Sequence, residues 1–419
     1  MKYSYLFLFL LLVSCGNPDK NQETTDSSKT LEAGNWRLSF NVEDGGFKEL
    51  PIQTTVDKDG TLTIYNSEEQ IELTDIEIKG DSVYIRPPIF EGYFAGKFTQ
   101  EGLIRGSYIK PSLDRVVDFF LEKGASNRFS EEESDDFEMA QLPQIWEVVF
   151  SPDNPEEKYI AKGVFTQSGN KVTGTFETTT GDYRYLEGTY KNDKLYLSTF
   201  DGAHLFLFEA DLKDGVMSGT FYSGNHWVEP FIGKANATYE LPDANELTFL
   251  KDGYDSFDFS FPDENGNVIS LSDDRFKNKV VVAQIMGSWC PNCLDETKFY
   301  LEYLKNEQPD DVEFIGIAFE YAPTKEKAYE SIQRLKKKLN VPYPIVLAQY
   351  GSVEKDEANE KLPMLNHVIS YPTSIYIDKS GKVRRIHTGY NGPATGGKFD
   401  RFKEEFYSFL KELREEVST

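Results

Sequence analysis

From about Asn35 to Lys123 apolar and polar positions alternate in short runs, broken by turn signals at Asp57-Lys58-Asp59-Gly60 and Lys79-Gly80-Asp81. A period of two puts one face of each run on a core and the other in water, so the stretch predicts a meander of antiparallel strands. The same texture returns from about Gln144 to Tyr239, with turns at Ser168-Gly169-Asn170, Lys191-Asn192-Asp193 and Lys213-Asp214-Gly215. The two stretches align: Asp81-Ser82-Val83-Tyr84-Ile85 matches Asp193-Lys194-Leu195-Tyr196-Leu197 at an offset of 112, and Gly102 to Tyr108 matches Gly215 to Phe221 at 113. A nearly constant offset points to duplication. Each copy is expected to form a barrel-like or sandwich-like unit of roughly eight short strands.

Past Leu241-Pro242-Asp243 the pattern changes, and strand runs alternate with helical periodicity, as in an α/β domain. The expected organisation is a leader over 1–14, a tether over 15–34, one β unit over 35–123 and a second over 143–240, with linkers at 124–142 and 241–255, and an α/β domain over 256–419. The first linker carries Ser130-Glu131-Glu132-Glu133-Ser134-Asp135-Asp136, a charge block read as a solvated hinge.

Charge narrows the function. Against 45 Lys and Arg stand 70 Asp and Glu, a net of -25 that repels a phosphate backbone, so no nucleic-acid partner is expected. Three cysteines in 419 residues exclude a disulfide framework. The first lies at the end of Met1, Lys2 and an apolar run from Tyr5 to Val13, about half of the ~20 residues needed to span a bilayer and of the length of a signal-peptide core. Leu12-Val13-Ser14-Cys15-Gly16 resembles the lipobox of bacterial lipoproteins, which implies cleavage before Cys15 and a lipid on its thiol. Residues 16–34 are polar and read as a flexible tether. The expectation is a cell-envelope protein, lipid-anchored to a membrane and facing the periplasm.

The other two cysteines carry the chemistry. Val280 to Met286 is a continuous apolar strand candidate leading through Gly287-Ser288 into Trp289-Cys290-Pro291-Asn292-Cys293 and a helical stretch to about Asn306. At a helix start the free N–H groups favour a thiolate at Cys290, and Pro291 suits the first turn because it has no N–H to lose. Cys293, one turn on, is placed to resolve a mixed disulfide, so the intrinsic chemistry is reversible dithiol-disulfide exchange. A zinc site would need further N or S ligands. His204, His226, His367 and His387 are scattered singly, and neither a metal nor another cofactor is expected.

Trp-Cys-Pro-x-Cys after a buried strand, with Tyr371-Pro372-Thr373 before a second strand, resembles a thioredoxin fold and, more narrowly, the TlpA/ResA-like disulfide reductases. The similarity runs from about Phe257 to Leu413 and includes the turn at Pro262 to Asn267 and the ending Ile377-Asp378-Lys379-Ser380-Gly381-Lys382. It implies a catalytic set of Cys290, Cys293, Glu296 and Pro372, with Pro372 as the cis-proline and Glu296 tuning thiol titration from the same helix face as Cys293. It also implies a substrate groove bordered by Trp289, Pro291, Tyr371 and Thr373. Gln284 stands where thioredoxin keeps a buried aspartate, which moves proton handling toward Glu296. Glu320, ending the run from Phe314, reads as a sheet-edge carboxylate, and His387 to Pro393 as a turn-rich loop, with a place bordering the groove as the alternative. The implied activity is reduction of disulfides in exported proteins, with a membrane thiol relay as electron donor. Two alternatives stand beside it: a binding lipoprotein whose β units capture a ligand or partner, and a thiol peroxidase. The latter needs a Pro and a Thr upstream of the reactive Cys, and Val282, Met286 and Gly287 offer neither.

Overall fold

A computed structural model of the protein describes residues 29–125, 127–129 and 141–416. The expected leader, Cys15, most of the tether and the acidic block 130–136 lie outside the described residues.

The alternating stretches form two antiparallel sheets of nine strands each, one more than expected. In the first copy the extra strand arises where Thr74 divides the run Glu69–Leu73 from Asp75–Lys79. In the second it is the two-residue strand Gly181–Asp182. The aligned segments take equivalent places, since Ser82–Arg86 and Lys194–Phe200 each lie two strands away from Leu103–Lys110 and Val216–Ser223. The second sheet closes on itself, because Lys171–Thr178 pairs with both Tyr159–Ser168 and Leu186–Lys191. Closure removes the exposed edges that invite pairing with other chains.

Period-two burial fills both interiors with aromatic rings. Trp146, Phe150, Phe176, Phe208, Phe221 and Phe231 pack inside the second barrel. The first core is shared between the units: Phe200, from the second, lies 5.3 Å from both Phe40 and Tyr108 of the first. Offset and edge-on contacts of this kind add about 0.5–1.5 kcal/mol per pair beyond area burial.

The C-terminal part is a thioredoxin fold. Its five-stranded sheet runs in the order Ile345–Tyr350, Val312–Glu320, Val280–Met286, Thr373–Ile377, Val383–Thr388, the first three parallel and the last two antiparallel to their neighbours. Every residue of Val280–Met286 is buried, which explains a run that is apolar except for Gln284. Val280, Val282 and Met286 serve the core on one face, and Val281, Ala283 and Ile285 serve the core on the other. Helices Pro291–Glu307, Lys325–Leu339 and Gly397–Glu415 flank the sheet. The second starts on a Thr324 side-chain cap and ends in Lys336, Lys337 and Lys338, whose charges suit the negative end of a helix.

Both expected linkers are held in part by contacts with neighbouring units. Residues 241–255 do not run free but dock on the α/β domain: Leu250 bridges Leu365, Phe249 exchanges hydrogen bonds with Asn366, and Thr388 N–H donates to Ala244 O. Within 124–142, Arg128 is buried and donates to the Ser198 carbonyl and hydroxyl at 3.1 Å. A buried guanidinium needs such partners, so this end of the linker is anchored.

Candidate active site

Cys290 caps the helix Pro291–Glu307: its backbone is extended and its Sγ accepts the Cys293 N–H at 3.1 Å. The thiol donates to the Tyr371 carbonyl at 3.3 Å, and the Tyr371–Pro372 peptide is cis. Both thiols are free; Cys290 is 5 % exposed and Cys293 fully buried. Burial, together with neighbouring Cys290 and Glu296, pushes the Cys293 thiol well above its usual range. The two sulfurs therefore differ in access, since Cys290 alone borders a cavity.

The turn before Cys290 is fixed from beneath. Glu320, buried at the end of its strand, accepts Ser288 N–H and Ser288 Oγ, each at 2.7 Å, and burial raises its carboxyl to about 7. Trp289 donates its indole N–H to Phe319 O at 2.9 Å, with its ring edge-on to Tyr371 at 5.7 Å.

Glu296 is fully buried on the inner side of the helix. Its oxygens accept Gln284 Nε2 at 2.9 Å and Ser374 Oγ at 2.9 Å, and Gln284 also donates to Cys293 O at 3.1 Å. Burial outweighs these bonds and raises the Glu296 carboxyl to about 7. Gln284 thus joins the carboxyl group to the backbone of Cys293. No hydrogen bond runs from Glu296 to either sulfur, so its influence on Cys293 is through charge.

Trp289, Cys290, Pro291 and Tyr371 line one cavity of about 420 Å³. Thr373 does not: it is fully buried, its hydroxyl donates to Ser370 O at 2.9 Å, and its strand position pairs with Ile285. His387 likewise turns away, toward Asn245 at 3.0 Å, and burial lowers its imidazole to about 4. The loop that follows His387 does reach the site, where Gly392 N–H donates to Asp182.

Asp182 belongs to the second β unit, whose contribution to the site no sequence motif revealed. Its segment Thr178–Arg184 lies across the start of the dithiol helix: Asn292 Nδ2 donates to Asp182 O at 3.0 Å and Ser370 Oγ to Thr180 O at 2.7 Å. Arg184, at a positive φ of 58°, donates to Pro291 O at 3.0 Å and forms ion pairs with Asp295 and Glu69. Its Nε lies 3.8 Å from Asp201 Oδ2. Burial works against this guanidinium, but Asp295, Glu69 and Asp201 outweigh it and hold its proton more tightly than usual. Burial likewise opposes the Asp201 charge, but His204 and Arg184 keep the carboxyl below its ordinary range; His204 Nδ1 sits 3.0 Å from Asp201 Oδ2. The available signal was local: short polar side chains beside turns, Asp182 in a two-residue strand and Asp201 between two long ones, which only the barrel brings to one end.

Residues 251–401 match the Redoxin family. The chain is 26 % identical over 140 residues to the thioredoxin-like protein YneN of Bacillus subtilis, covering 33 % of this chain and 73 % of that protein. It is 25 % identical over 161 residues to the thiol-disulfide oxidoreductase ResA of Bacillus thuringiensis, covering 38 % and 78 %. Among solved structures, a thiol-disulfide isomerase from Corynebacterium glutamicum superposes with a TM-score of 0.31 at 14 % identity, covering 40 % of this chain and 100 % of that one. A thiol-disulfide oxidoreductase from Bacteroides fragilis gives 0.26 at 23 %, covering 36 % and 99 %. Residues 251–401 thus form a Redoxin domain on a thioredoxin fold, and the chain is a thiol-disulfide oxidoreductase.

Proposed function

We propose that the protein is a membrane-tethered reductase of disulfides in exported proteins, working through the Cys290-Pro291-Asn292-Cys293 dithiol. The observation that carries this reading is the asymmetry of the pair: Cys290 caps the helix and borders a cavity, while Cys293 is buried behind it with a raised proton affinity. Cys290 as thiolate attacks one sulfur of the substrate disulfide, and the other leaves as a thiolate that takes up a proton. Cys293 then loses its proton and attacks Cys290 Sγ, which releases the second substrate thiol and leaves Cys290 and Cys293 joined, a transfer of two electrons. Glu296 serves as the proton reservoir beside the resolving cysteine, because a carboxyl titrating at about 7 exchanges protons readily near neutral pH. Pro372 and Tyr371 hold the substrate strand against Cys290. Trp289 and Pro291 complete that face.

Regeneration needs a dithiol donor, which for a chain anchored through a lipid on Cys15 and facing the periplasm is a thiol relay in the same membrane. The lipobox-like Leu12 to Gly16 supports that anchorage. The test of direction is the Cys290/Cys293 potential in glutathione redox buffers. A value near about -270 mV supports a reductase, and one near about -120 mV makes the protein an oxidant.

A further inference from the structure

We propose that the face of the second β unit opposite the dithiol is a substrate site for an extended, disulfide-bearing peptide segment with an aromatic side chain beside its cysteine. This rests on the exchange chemistry proposed above. The cavity of about 420 Å³ lies between two parts of the chain distant in sequence: Cys290 and Tyr371 on one side, Tyr159, Tyr183, His204 and Phe206 on the other. That volume falls within the range of about 300–1,000 Å³ that takes drug-sized ligands. A folded partner would need a docking patch of about 800 Å². Cys290 is only 5 % exposed, so a sulfur reaches it by entering the cavity as part of a thin segment.

The opposite wall is aromatic and held in place. Tyr159 and Tyr183 hydroxyls meet at 2.6 Å, Tyr159 donates to Glu229 at 2.8 Å, and Ser151 donates to the other oxygen of that carboxylate. Phe206 packs edge-on to Tyr183 at 5.2 Å, and the His204 ring stacks on Phe206 at 4.7 Å. Arg184 and Asp182 clamp this wall to the dithiol helix through Pro291, Asn292 and Asp295. Such a surface loses little freedom on binding, so an aromatic ring entering it gains contact without an ordering cost. The β unit thereby selects the substrate while the thiols carry out the exchange.

The experiment is single-turnover oxidation of the reduced full-length chain by two peptides, each closed by one disulfide and differing only in Tyr or Ser beside the cysteine. Each rate is divided by the same protein's rate with hydroxyethyl disulfide, so that a redox or folding defect lowers both. The wild type should prefer the Tyr peptide by about tenfold, equivalent to about 1.4 kcal/mol. In Phe206→Leu and His204→Ala the preference should fall toward unity through a raised half-saturation concentration. Equal use of both peptides by the wild type, or a preference unchanged in both variants, overturns the site. Failure of the wild type to reduce any disulfide instead overturns the exchange function.

Discussion

Arg184 of the second β unit pairs with Asp295 of the helix that Cys290 caps, and the two side chains are only 5 % and 11 % exposed. The ion pair ties the β region to this helix two residues past Cys293. Replacing Arg184 with Met removes the one buried cation shared by Asp295, Glu69 and Asp201, leaving His204 beside Asp201 and the exposed Lys298 beside Asp295. Loss of one partner from a buried charge cluster costs about 3–5 kcal/mol. Urea unfolding of the full-length chain should show that loss. The double variant Arg184→Met/Asp295→Asn should recover part of it, since it removes a carboxylate as well.

Glu296 makes stability depend on pH in a specific window. Its carboxyl titrates near 4.5 when unfolded and at about 7 in the fold, raised by burial. Below 4.5 it is neutral in both states and costs nothing. Between 4.5 and about 7 the unfolded chain releases this proton first, so stability falls as pH rises, by about 3 kcal/mol at about 1.4 kcal/mol per unit. Glu296→Gln should flatten this portion of the curve, measured as the difference between the two proteins from pH 4 to 8. Glu320, raised similarly, remains in both and cancels.

The same residue separates a structural role from a proton-handling one. In Glu296→Gln the rate of disulfide closure after the mixed-disulfide step should lose its inflection near pH 7. An unchanged pH profile would confine Glu296 to packing.

Glu320 acts on Cys290 by holding the preceding turn. Glu320→Ala leaves the Ser288 N–H and hydroxyl without their buried acceptor, a cost of about 1–3 kcal/mol. Glu320→Gln keeps an acceptor and should lose less. Parallel urea titrations check this, and equal midpoints for the Ala variant and the wild type would contradict it.

Much of this architecture was legible in the chain. The run Val280 to Met286 announced a strand buried on both faces, and Cys290-Pro291 announced the helix start, because local rules set both. Alternation in the β units was equally local, and the offset of 112 fell on strands of equal rank. What could not be read depends on closure in three dimensions. Thr373 looked like a groove residue from its place after Pro372, but the strand turns its hydroxyl inward to Ser370. Residues 241–255 looked like a linker from their turns, although Asn366, more than a hundred positions on, supplies their hydrogen bonds. Arg184 reaches Pro291 across 107 positions and carries no motif, since an arginine at a strand turn is ordinarily solvated. The acidic excess gave no hint that three carboxylates gather around that single buried cation.

In the proposed exchange Cys290 meets the substrate first and Cys293 second. This order is tested by mixing a disulfide peptide with the reduced full-length chain, with Cys293→Ser and with Cys290→Ser, and weighing the products by mass spectrometry. The wild type should form one internal disulfide per peptide reduced, Cys293→Ser a stable peptide adduct on Cys290, and Cys290→Ser no adduct. An adduct on Cys293, or a wild-type dithiol that stays reduced in the presence of excess peptide, would contradict it.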